Sequence, residues 1–186
     1  MKFWTIQTKN VIDIIQEEGI YQPNFDYSRY LNTNKNLKNL YSIILQSFNQ
    51  INKTDLSGIV FAFAKSDGNK IHSIKTIEEF EKFIKNKQEV INGFWNELDQ
   101  DNFVIIELDY DTGFNPIFID INDFQFLMPP IRLIYPYTQE SINKILTDIK
   151  MGQITTSEFP SNVIQVHLPY IKKENVVNIF PLFDLE

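Results

Sequence analysis

Hydrophobic and polar residues alternate from the second residue onward. Phe3, Thr5 and Gln7 share one parity and Lys2, Trp4 and Ile6 the other, which predicts a short opening strand over 2–7. The period then changes. Val11, Ile12, Ile14 and Ile15 form an apolar stripe behind Asn10, a good N-cap, with Asp13 in the first turn and Gly19 as a left-handed C-cap. Residues 20–36, rich in Asn and Tyr and interrupted by Pro23, carry no period and read as an exposed, irregular connection. Leu37, Leu40, Tyr41, Ile44, Leu45, Phe48 and Ile51 then recur at helical spacing and predict a long amphipathic helix covering a sheet.

Gly58 opens the unbroken apolar run 59–64, the mark of a buried central strand, and 66–69 supplies a turn. Thr76 and Glu79 form a capping box for a helix carrying Phe80, Phe83 and Ile84, with Glu78–Lys82 and Glu81–Lys85 on its wet face. The pattern leaves open whether this helix runs on through Ile91 to Trp95 and Leu98 or breaks near Gly93. Residues 103–111 and 116–121, joined by Asp111-Thr112-Gly113, predict a hairpin. A helical turn from Asn122, a strand over 131–135 after Pro129-Pro130, and a helix from Thr138 to Gly152 follow. Two strands, 163–168 and 176–180, close the chain. Helices and strands do not interleave one for one, so the expectation is α+β: a mixed, mostly antiparallel sheet with flanking helices, in one domain over 1–186.

Composition adds limits. With no cysteine, disulfides, thiolate nucleophiles and Cys-ligated zinc are excluded. The opening ten residues lack the apolar run and cleavage site of a secretory leader, and 59–64 is too short to span a bilayer, so a cytoplasmic protein without a membrane partner is expected. A net charge of −7, with Arg29 and Arg132 the only arginines, disfavours a general nucleic-acid binder.

Candidate chemistry is sparse. Period two puts Glu107, Asp109 and Asp111 on one strand face, with Asp120 on the return strand, an oxygen-rich set suited to a hard cation. A solvated outer face is the simpler explanation, since no ligand-spacing signature accompanies them. His167 shares a strand face with Gln165, and His72 is the other histidine; either is an acid–base candidate or an ordinary hydrogen-bonded residue. No nucleophile elbow, phosphate-binding loop or dinucleotide fingerprint occurs. Trp4, Trp95, Tyr21, Phe25, Tyr27 and Tyr30 offer an aromatic wall or, for the tryptophans, core anchors. Tyr27 and Tyr30 in an Asn-rich loop also suit a protein partner.

Phe3-Trp4-Thr5-Ile6-Gln7, the helix ending at Gly19, Tyr41, the strand at 60–63, Ile117 to Phe124 and the strands near 164–166 and 176–180 resemble a bacterial domain of unknown function, number thirty-eight forty-one. That family carries no assigned activity, and the tryptophan expected after Phe124 is missing here. The layout from Trp4 to Gly19, then 163–180, is also similar to ADP-ribosyltransferase-like domains. This second resemblance implies a nucleotide cleft lined by Trp4, Gln7, Tyr41 and Gln165, with His167 nearby, and NAD or a related nucleotide as ligand. The first strand lacks the usual Arg or His, and Gln165 stands where the terminal Glu is expected. A binder or degenerate enzyme is therefore implied. The functional expectation is an interaction or binding protein whose partner is a protein or a small nucleotide.

Overall fold

The computed structural model describes residues 1–33, 35–67, 70–96, 98–99, 101–110, 113–121, 147, 151 and 161–185. The fold is α+β, as the pattern predicts. Its sheet grows outward from the opening strand, β1 (Lys2–Thr8), which pairs along its whole length with β5 (Phe103–Asp109), from Lys2↔Asp109 to Thr8↔Phe103. On its other side β1 meets β3 (Val60–Ser66) at Trp4↔Phe63 alone. β3 pairs in full with β7 (Val163–Leu168), which carries β6 (Ile117–Asp120) at one edge, and β5 carries β9 (Val176–Pro181) at the other. The order is β6-β7-β3-β1-β5-β9, with β2 (Ile20–Tyr21) and β8 (Ile171–Lys172) in a separate pair and β4 (Ile71–His72) on the end of β3. Every one of these pairings is antiparallel.

The expected hairpin does not form. Both of its strands exist, but β5 and β6 lie four places apart, β5 between β1 and β9 and β6 at the edge against β7. Turn residues at 111–113 favour a reversal; they do not choose the strand it leads to.

Alternation sorts side chains onto two faces. Phe3, Val60, Ala62, Ala64, Ile106 and Val166 pack beneath α1 (Lys9–Glu18) through Val11 and Ile15. On the opposite face, Trp4, Phe63 and Ile105 meet Phe80 and Ile84 of α4 (Ile77–Lys85) and Ile91 and Trp95 of α5 (Gln88–Trp95). Ile117 and Ile119 on that face are covered by Tyr41, Ile44 and Phe48 of α3 (Lys35–Asn52). Each Val, Ile or Phe side chain among these, fully buried, contributes about 1.5–3 kcal/mol of transfer free energy.

Helix ends follow local chemistry where the tertiary structure permits. Gly19 adopts φ 79° and its N–H reaches the Ile15 carbonyl at 3.0 Å, the expected left-handed cap. The start of α1 differs: Thr8, not Asn10, is the N-cap and makes no side-chain bond. The amide of Lys9, the first helical residue, donates to the Asn102 carbonyl at 2.8 Å, so a neighbouring loop satisfies one of the free donors at the helix start. Thr76 Oγ1 caps α4 through the Glu79 amide at 3.2 Å, and the run onward from α4 breaks at Asn86–Lys87 rather than at Gly93. The irregular connection over 20–36 contains β2, a 3₁₀ turn (Phe25–Tyr27), the short α2 (Arg29–Thr33) and the start of α3. The expected turn at Asn122, strand at 131–135 and helix from Thr138 to Gly152 lie outside the described residues. Among those described, no helix is long and apolar enough to cross a membrane.

Candidate functional site

The single register pair between β1 and β3 creates the site. Beyond Trp4↔Phe63 the ladder stops, and the Thr5 side chain bridges the two strands in its place. Thr5 Oγ1 donates to the Phe61 carbonyl at 2.5 Å, and Gln7 Nε2 donates to Thr5 Oγ1 at 2.8 Å. Residues 20–28 cross the mouth of this split. Their position depends on Gly58, where a Cβ would stand 2.6 Å from the Pro23 carbonyl oxygen, and on the Phe25 amide, which donates to the Ser57 carbonyl at 3.0 Å.

A cleft of about 880 Å³ results. Its aromatic wall comes from Tyr21, Phe25, Tyr27, Tyr41, Phe61 and Phe63. Tyr41 stands edge-on to Phe61 at 4.8 Å between centroids and to Phe25 at 5.7 Å, while Phe25 and Phe61 are nearly parallel. Tyr27, 87% exposed, sits at the rim. Burial raises the Tyr21 pKa, so its phenol stays protonated. The polar wall includes Gln7 and Gln165, and Glu18 is the one charged side chain among the described residues of the lining.

Gln165 is the unusual member. It is 1% exposed, and neither Oε1 nor Nε2 has a hydrogen-bond partner. Leaving a buried amide unpaired costs about 1–3 kcal/mol per group, so the arrangement calls for a reason. Two residues along the same strand, His167 is fully buried, packs edge-on against Phe61 at 5.2 Å, and also lacks a partner on either ring nitrogen. Burial pushes its pKa down to about 3, which keeps the imidazole neutral.

Of the residues proposed from sequence for a nucleotide cleft, the structure brings Gln7, Tyr41 and Gln165 to this cavity. By register Gln7 and Gln165 belong to opposite faces of the sheet, and only the split lets both border one space. Trp4 is not at the cleft. It is buried against Phe80, with rings 5.0 Å apart and nearly parallel, and its indole donates to the Ile74 carbonyl at 2.8 Å. Trp95 likewise anchors the core, bonding the Phe183 carbonyl at 3.0 Å. His167 lies behind Phe61 rather than on the cavity wall, and Tyr30 belongs to α2.

The acidic candidates do not assemble. Glu107 lies on the face period two assigns it, but that face is covered there. It is 3% exposed, and its carboxylate accepts from Lys2 Nζ and from Asn178 Nδ2, the latter at 2.7 Å. Asp109 is exposed and pairs with the Met1 amine at 2.9 Å, and Asp111 lies outside the described residues. Asp120 is buried and clamps the turn before β7, accepting from the Ser161 amide at 3.1 Å, Ser161 Oγ at 2.8 Å and the Asn162 amide at 2.9 Å. Glu107 and Asp120 are four strands apart, roughly 19 Å at ~4.8 Å per strand. Among the described residues no group of acids or histidines is placed to hold a metal. His72, the other histidine, pairs with Asp67 at 2.9 Å on the surface.

Sequence reasoning missed Thr5, Phe61 and Glu18. Thr5 shares strand parity with Gln7, a faint signal; the importance of Phe61 follows only from where β1 and β3 part. Comparisons with protein-family models, with curated proteins and with solved structures find no match to this chain.

Proposed function

We propose that this chain is a small-molecule-binding domain whose cleft, at the split between β1 and β3, receives a flat ligand without turning it over. The observation that carries the proposal is the Gln165 amide, unpaired at the wall of a cavity built mainly from aromatic rings. Aromatic walls with a few oriented polar groups are the usual composition of ligand pockets. General acid–base work needs a titratable group within reach of the substrate. The described lining offers Glu18, at the exposed rim, and tyrosines.

A second reading is a degenerate ADP-ribosyltransferase-like domain that takes NAD or a related nucleotide. It is favoured by the meeting of Gln7, Tyr41 and Gln165 at one cleft. A thermal-shift panel separates binding from its absence. NAD, ADP-ribose, cyclic nucleotides, nucleosides and nicotinamide are each added at millimolar concentration. A ligand at about 100 times its dissociation constant stabilises by ~2.7 kcal/mol, a shift of several degrees. A panel with no shift for any compound defeats both readings.

A further inference from the structure

The hydrogen-bond directions at the split restrict what the cleft can accept. A carbonyl only accepts, so the Phe61 oxygen commits the Thr5 hydroxyl proton. With its proton committed, Thr5 Oγ1 can only accept, so Gln7 must turn its amino group inward. Gln7 Oε1 is left as an oriented acceptor. Gln165 holds a complete amide, one acceptor beside one donor group, with nothing bound to either. Each of its polar atoms exposes less than 1 Å², so a ligand meets the amide only after the side chain turns toward the cavity it borders. That turn breaks no hydrogen bond, because there is none to break.

Charge supplies the other half of the argument. Phosphate sites are built from Arg, Lys or converging backbone N–H groups. The described lining holds no Lys or Arg, and its one charge is the Glu18 carboxylate, in a chain of net charge −7. From the unpaired Gln165 amide, the Gln7 acceptor and the aromatic wall, we infer that the cleft selects an uncharged heterocycle with a hydrogen-bond donor beside an acceptor. An aminated nucleobase or a ring carboxamide has this chemistry, and the cleft prefers the nucleoside or free base over its phosphates. Glutamine pairs through both amide atoms with such an edge, as with the amino group and N7 of adenine. The inference rests on the binding reading above and adds the ligand's chemistry to it.

Titration calorimetry on the full chain tests it. The probes are adenosine, its N6,N6-dimethyl analogue, AMP, nicotinamide and NAD, with the Gln165→Met and Gln7→Leu variants. Adenosine or nicotinamide should bind, and the two compounds tell a nucleobase from a ring carboxamide. Dimethylation of adenosine should weaken its binding about tenfold, the share of one lost bidentate contact, and AMP should bind more weakly than adenosine. Gln165→Met should weaken binding by a similar factor while leaving the melting temperature unchanged or higher, an outcome a structural role for Gln165 would not give. If Gln165→Met does not fold, Gln165 is structural and the inference falls on that ground. Gln7→Leu, at a partly exposed position, should independently weaken binding. AMP or NAD binding more tightly than the uncharged compounds, or Gln165→Met binding as well as the parent, overturns the inference and leaves the binding function standing. No heat with any probe, together with a flat thermal-shift panel, removes both.

Discussion

His167 should make the stability of this protein depend on pH in a calculable way. The imidazole is fully buried between its strand neighbours Phe61 and Ile117, without a hydrogen bond, and burial lowers its pKa from 6.5 to about 3. In the unfolded chain the same ring takes a proton near pH 6.5. Between these values the unfolded state binds more protons, so stability falls as pH falls. The contribution is complete above about pH 6.5 and is lost progressively toward pH 3. From about pH 8 to about pH 5 the loss is RT ln(1 + 10^1.5), roughly 2 kcal/mol, and it reaches ~4 kcal/mol by pH 3. His167→Leu replaces the ring with an apolar side chain of similar volume. Urea denaturation of both proteins at matched pH isolates the effect, because titrations common to the two cancel in the difference. The variant should be at least as stable at pH 8, since two unpaired buried nitrogens are gone, and should gain about 2 kcal/mol on the parent by pH 5. A difference that stays constant across this range would refute the argument, for it would mean that the folded protein also accommodates the imidazolium.

Two further substitutions probe the scaffold around the cleft. Gly58→Ala sets a methyl group 2.6 Å from the Pro23 oxygen and 2.8 Å from its carbonyl carbon, backbone atoms that cannot swing aside. It should cost about 1–3 kcal/mol in urea and weaken ligand binding, and an unchanged midpoint would contradict the close approach. Asp120→Ala removes the acceptor for three donors around Ser161 and Asn162, so a loss of about 3 kcal/mol is expected, with Asp120→Asn milder because one acceptor oxygen remains. Thermal melts should rank the three proteins in that order, and neither magnesium nor a chelator should move the parent's melting temperature.

The elements themselves were legible wherever a local period or cap decides them. Gly19 had to end α1, because a glycine after an apolar stripe is the residue that most easily takes φ > 0. Thr76 with Glu79 had to start α4. The partners of strands were not legible. The turn residues at 111–113 pointed to a hairpin, yet β5 lies against β1, whose residues are about a hundred positions away. Parity separated Glu107 from Ile106 and Leu108, but the face it lies on is not the solvated one expected: Trp4 and Ile105 share it, and Lys2 and Asn178 enclose the carboxylate there. At the cleft, Tyr21, Phe25 and Tyr27 stood out as aromatic in a polar loop, and a fold-level resemblance drew attention to Gln7, Tyr41 and Gln165. What no pattern contains is the place where two neighbouring strands part. That depends on Gly58 admitting Pro23 and on Thr5 reaching Phe61, both contacts between distant segments.

The lone Trp4↔Phe63 pair has a mechanical meaning as well. It divides the strand order into two leaves, β6-β7-β3 and β1-β5-β9, each zipped by long antiparallel ladders and joined like a book along a short spine. Phe80 of α4 fastens one end of that spine, its ring stacked on Trp4 and 6.1 Å from Phe63, and Thr5 bridges farther along. Past Thr5 the leaves can change their spacing without breaking a rung of either ladder. What holds the leaves together past that point is the apolar layer beneath α1, where Phe3 and Ile106 of one leaf pack with Val60, Ala62 and Val166 of the other.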